Sequence, residues 1–173
     1  MMGLFKVVLF FMLLLTSVFA KKLSKDGVTF SIEPIASLEV KAFYLGRGFS
    51  QEQIKPYSQT CVFTTFLRND NAKGTIHFVR KNWFALKDTK RFYIKNDDYW
   101  FKKFKKTKVK MSSKIAFELG QIPEEQSYAT GGDWNEGMLS VDLPRGSKFD
   151  LKINWNIKGK KYELTIHDVK CAK

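Results

Sequence analysis

The chain has 173 residues, 30 Lys and Arg against 17 Asp and Glu, a formal net charge of +13, four Trp and 16 Phe. This size suits one domain that can bury roughly 70% of its unfolded surface without a structural metal. The basic surplus argues against a strongly basic partner and favours anionic ones, such as phospholipid phosphates, acidic polymers or an acidic protein.

Residues 1–20 have the layout of a secretory signal peptide. Met1 to Lys6 carries one positive charge, Val7 to Leu15 is an apolar run, and Thr16 to Ala20 ends in small residues suited to cleavage after Ala20. Val7 to Ala20 falls short of the roughly 20 residues a helical membrane span needs, and the polar Lys21 to Asp26 does not extend it. The expectation is a leader at 1–20 and a single domain at 21–173, periplasmic or secreted, with a net charge of +12 once Lys6 is removed. Cys61 and Cys171 then read as one disulfide, since an even cysteine count in an exported chain usually means a bridge.

Apolar alternation with period two recurs along the rest of the chain. It predicts strands at Val28 to Ile32 and Leu38 to Tyr44, separated by Pro34. After Gly46-Arg47-Gly48, the Ser50-Gln51-Glu52-Gln53 pattern predicts a capping box and one short helix that Pro56 soon ends. Thr60 to Arg68 and Thr75 to Arg80 read as a hairpin around the turn cluster Asn69 to Gly74, with Cys61, Phe63, Thr65 and Leu67 on one face.

Short strands are expected at Arg91 to Ile94, Tyr99 to Phe104, Thr107 to Met111 and Ile115 to Leu119, followed by a loop from Gly120 to Asn135. Gly137 to Val141, Phe149 to Ile157 and Tyr162 to Val169 complete the set, the last two joined by Lys158 to Lys161. Many short strands punctuated by turns predict an all-β, antiparallel sandwich. Leu143-Pro144-Arg145-Gly146-Ser147-Lys148-Phe149 resembles the strand-to-strand corner of immunoglobulin-like domains, which makes that the expected type of sandwich. The resemblance covers seven residues and concerns fold alone.

Four groups of residues could carry function. The densest is Gly131 to Met138, where glycines accompany Asp133, Trp134, Asn135, Glu136 and Met138. Trp134 would anchor a protein or glycan, with Asp133 and Glu136 as polar reach. The bland alternative is a bulged loop whose Trp plugs the end of the sandwich. Second, Lys102, Lys103, Lys105, Lys106 and Lys108 interleave with Trp100, Phe101 and Phe104. That suits an anionic membrane or envelope polymer. It equally suits an edge strand whose lysines deter pairing with other chains. Third, Arg47 beside the helix start at Ser50 could hold an anion. Fourth, His77 and His167 with Met111, Met138 and the cysteines could bind copper or zinc, although no HxH, HxxM or MxxM spacing occurs.

The pattern contains no GxSxG, HExxH, P-loop or dinucleotide fingerprint, and no nucleic-acid motif. The reading is therefore a non-enzymatic binding or accessory protein, without a cofactor, that recognises a protein, a glycan or an anionic envelope component through the Gly120 to Met138 region. Its rivals are a carbohydrate-active enzyme using Asp133 with Glu136 or Glu124, and a copper- or zinc-handling protein.

Overall fold

The computed structural model describes residues 20–104 and 108–173. The expected leader up to residue 19, together with Lys105 and Lys106, lies outside the described residues. Ten strands are present: β1 (Lys21–Lys25), β2 (Val28–Pro34), β3 (Thr60–Asn69), β4 (Ile76–Val79), β5 (Phe84–Lys87), β6 (Lys90–Tyr93), β7 (Glu125–Tyr128), β8 (Asp133–Pro144), β9 (Lys148–Ile157) and β10 (Lys160–Lys170). Among the described residues, four α-helices interrupt them: α1 (Ser37–Leu45), α2 (Gln51–Ser58), α3 (Asp97–Phe104) and α4 (Met111–Leu119).

The strands form two antiparallel sheets. The first has the order β1-β2-β3-β8; the second runs β6-β5-β9-β4-β7, with β10 on the other edge of β9. The expected all-β sandwich is therefore present in its essentials. Between the sheets, Phe30, Phe63 and Leu139 of the first meet Phe78, Ile153 and Trp155 of the second in one buried cluster. Hairpin turns are supplied where the sequence offers small or polar residues. Lys158 and Gly159, both at positive φ, join Ile157 to Lys160 in the two-residue turn whose twist suits paired strands.

The outward side of the first sheet carries a layer of helices, the largest departure from the sequence expectation of one short helix. Leu38 to Tyr44, Tyr99 to Phe104 and Ile115 to Leu119, expected as strands, are α1, α3 and α4. Within the expected strand at Thr107 to Met111, residues 108–110 have no regular structure and Met111 opens α4. The helices bury Val40, Tyr44, Tyr57, Trp100 and Phe117 over Val62 and Met138 of the sheet. The predicted capping box on α2 is present: Ser50 Oγ accepts from the Gln53 amide at 3.2 Å and Gln53 Oε1 from the Ser50 amide at 2.7 Å. Pro56 lies inside α2, which continues to Ser58.

The expected β3–β4 hairpin is also corrected. These strands belong to different sheets, and the chain crosses between them. Asn69, fully buried, holds the crossing: its Nδ2 donates to Gly74 O at 3.0 Å and Tyr128 O at 2.9 Å, and its Oδ1 accepts from the Ala72 amide at 3.1 Å. Cys61 and Cys171 form a disulfide across a sequence separation of 110, which ties the C-terminal tail to β3. No helix among the described residues is long and apolar enough to cross a membrane. Both features are compatible with export.

Candidate functional site

Of the Gly131–Met138 segment, Asp133 to Met138 is a strand, not a loop, and only Gly131 and Gly132 form a turn. Within the expected Gly120 to Asn135 loop lie β7 and the start of β8. Along β8, Asp133, Trp134, Asn135, Glu136 and Met138 pair with Asn69, Arg68, Leu67, Phe66 and Thr64 of β3. Strand alternation then sorts the set. Trp134, Glu136 and Met138 share the outward face, whereas Asn135 has the opposite parity. Met138 is buried beneath the helices and belongs to their cluster. Trp134, further along the same face, lies beyond it.

Trp134 is 52% exposed, whereas Trp83, Trp100 and Trp155 are exposed by at most 1%. Its ring meets Phe66 of β3 at 5.2 Å between centroids, tilted by 39°. The bland expectation that Trp134 plugs the sandwich is thus overturned. Around this aromatic pair stand the Arg68–Asp70 ion pair, at 2.8 Å, and the exposed Glu136. The helix layer covers one end of the outward face and leaves this end open.

Asp133 has a local task. Its Oδ2 accepts from the Ala129 amide and its Oδ1 from the Trp134 amide, each at 3.0 Å, closing the Gly131–Gly132 turn. Glu136 lies on the opposite face of β8, so these two carboxylates do not converge on one bond. Glu124, the other acid of the enzyme reading, accepts from the Asp97 amide at 2.7 Å and pairs with Arg80 at 3.4 Å.

Beside Asn135 opens a cleft of about 500 Å³ that the sequence reading did not find. Phe101 and Leu119 give it apolar walls, and Asp97, Asp98, Glu118 and Glu124 give it acids. Four separate stretches supply it: α3, the end of α4, the segment before β7, and Asn135 of β8. Arg80, 3% exposed, fixes one of these acids by pairing with Asp97 at 2.8 Å, and donates to Ile122 O. Desolvation raises the Asp97 carboxyl above its usual range, against the opposing pull of Arg80. The positive chain thus has an acidic pocket.

The remaining candidates separate in space. Arg47 turns back onto α1, donating to Phe43 O at 2.9 Å and stacking over the Phe43 ring at 3.4 Å. At the α2 start, Ser50 and Gln53 already satisfy two of the amides that an anion at Arg47 would use. Lys102 and Lys103 lie on α3, whose Trp100 and Phe104 are buried, so this stretch is not the edge strand of the alternative reading. Lys102, Lys103 and Lys108 are exposed, and Lys103 lies 3.9 Å from Asp142.

Met111, Met138, His77 and His167 occupy four different elements, and no metal-suited group of three His, Cys, Asp or Glu occurs among the described residues. His77 does lie between Ser127, at 3.0 Å, and Glu125, at 3.1 Å. These cross-strand contacts sit on the solvated face of β4 and β7, where they fasten a short edge strand. No family model, curated protein or solved structure matches this chain.

Proposed function

We propose that this chain is an exported, non-enzymatic binding or accessory protein that captures its partner on the open end of the β3–β8 face. The observation that carries the reading is Trp134: it alone of the four tryptophans is exposed, and it stands against Phe66 with an ionic rim. A large ring kept in water and held by a second ring has the character of an interface anchor. Of the partners open to it, a protein or a glycan, the acid-walled cleft beside Asn135 favours a protein that offers a basic side chain.

The sandwich itself reads as immunoglobulin-like. In support, β2-β3-β8 faces β4-β9-β10, the arrangement of the A-B-E and C-F-G strands of such domains. The Leu143–Phe149 corner joins β8 to β9, and Phe149 meets Phe63 edge-on at 5.9 Å. Strand-to-strand turns at one end of that scaffold would flank the aromatic pair.

A photo-cross-linking side chain at position 136, beside Trp134 on the same face of β8, tests the proposal in the exporting cell while leaving the anchor in place. It should give one discrete adduct, outcompeted by untagged wild-type chain but not by Trp134→Ala. The same probe at Lys161, on the other sheet, should give none. Equal labelling at both positions, or none at 136, would refute the site. Turnover of cell-wall fragments by the purified chain would favour the carbohydrate-active enzyme instead.

A further inference from the structure

The outward side of α4 carries a second surface, independent of Trp134. Met111, Ile115 and Leu119 follow one another at i, i+4 and i+8 and are 69%, 49% and 80% exposed, while Ser113 and Phe117 face the core. Exposed apolar residues at this spacing form a stripe that no described residue covers. The two ends of the stripe differ in charge. Glu118 and Asp98 flank Leu119 at the acid-walled cleft. At the other end, Lys108 and Lys110 precede the helix, and Lys114 flanks its first turns.

That basic end is built against the usual rule for a helix start. Lys110 occupies the N-cap position, its side chain makes no capping bond, and the first turn contains no acid. The partial positive charge of the helix start is therefore joined by lysines where most helices place Ser, Asp or Glu. Neither Lys108 nor Lys110 forms an ion pair with a described residue. Positive charge beside exposed apolar side chains complements an amphiphile whose head is anionic.

We infer that the N-terminal half of α4 docks on an anionic phospholipid bilayer, with Met111 and Ile115 entering the interface and Lys108, Lys110 and Lys114 meeting lipid phosphates. The acids at Asp98 and Glu118 lift the far end of the helix, so the chain sits tilted. Leu119 then stays with the cleft.

Co-sedimentation of the purified mature chain with vesicles of phosphatidylcholine and phosphatidylglycerol in equal parts tests this. Binding should fall at least tenfold when phosphatidylglycerol is omitted, and weaken with salt as surface charges are screened. Ile115→Asp, and separately Lys108→Glu with Lys110→Glu, should each weaken binding by about tenfold or more with an unchanged circular-dichroism spectrum. Lys161→Glu, which alters net charge on the other sheet, should bind within about twofold of wild type. Absence of binding to the mixed vesicles, or equal loss with Lys161→Glu, would overturn the inference. So would a dimer in lipid-free solution that Ile115→Asp dissociates, since the stripe would then belong to a second copy. Trp134→Ala should leave vesicle binding intact, which separates this surface from the partner site.

Discussion

At the scale of single residues, Gly137 shows how tightly the helix layer is joined to the sheet. A Cβ at this position would lie 2.3 Å from Ile122 N and 2.4 Å from Gln121 C, both backbone atoms that cannot swing aside. The clash arises because residues 120–122 run against β8, with Ile122 N donating to Met138 O at 3.0 Å and Met138 N to Gly120 O at 2.8 Å. Gln121 uses the same approach to reach the buried phenols, donating to Tyr44 and accepting from Tyr57 at 2.9 Å. Gly137→Ala should therefore destabilise the protein by about 3 kcal/mol, read as a lower midpoint in urea. A midpoint equal to wild type would mean that this crossing is loose.

At the scale of elements, β10 is shaped by a bulge. The ladder with β9 slips between Ile166 and Val169, and Asp168 adopts a positive φ of 55°. Without the extra residue, Val169 and Cys171 would point away from the core; with it, both turn inward and Cys171 reaches Cys61. Asp150 of β9 fastens the bulge, accepting from the Asp168 amide at 3.0 Å and meeting His167 Nδ1 at 2.8 Å. Chiefly the amide bond, and then His167, holds the Asp150 carboxyl below its usual range.

A carboxyl depressed in the folded state adds stability above its unfolded value, about pH 4. It loses that contribution as pH falls through the lower, folded value. The stability gap between wild type and Asp150→Asn should accordingly be full near neutrality and shrink in acid, as followed by urea melts across pH. A gap that stays constant with pH would show that the charge of Asp150 takes no part.

The same scale explains which elements were legible. The strands of the sandwich announce themselves because one face is buried, so Val28-Phe30-Ile32 and Leu151-Ile153-Trp155 keep a strict period of two. The helical segments resemble strands in sequence because residues i and i+4 share a face in both a strand and a helix. Trp100 with Phe104, and Val40 with Tyr44, fit either period within so few residues. The residue between them decides. Lys102 would join Trp100 and Phe104 on a strand face, but a helix carries it away to solvent, where it stands. A lysine between two buried aromatics was the available signal. The cleft was not legible, since its acids come from three stretches that only tertiary packing unites.

At the scale of the molecule, the sandwich is a scaffold with two unlike exits on its helix-bearing side. The lysine-flanked start of α4 lies at one end of that helix and the acid-walled cleft at its other end, while the Trp134–Phe66 pair stands on the open end of the β3–β8 face. Under the proposed function, this division would give a strongly basic chain a place for a partner that its net charge would otherwise repel. Trp134 itself was singled out by residue type alone. That it stands in a strand, on a face roofed at one end and open at the other, depends on where the helices stop.

Acrylamide quenching of tryptophan fluorescence tests the central claim most directly, because three of the four indoles are buried. In the free protein one quenchable population should appear, vanish in Trp134→Phe, and become shielded when the cross-linked partner is added. Undiminished quenching in Trp134→Phe would contradict the exposure assigned to Trp134. Unshielded emission with saturating partner would contradict its place in the binding surface.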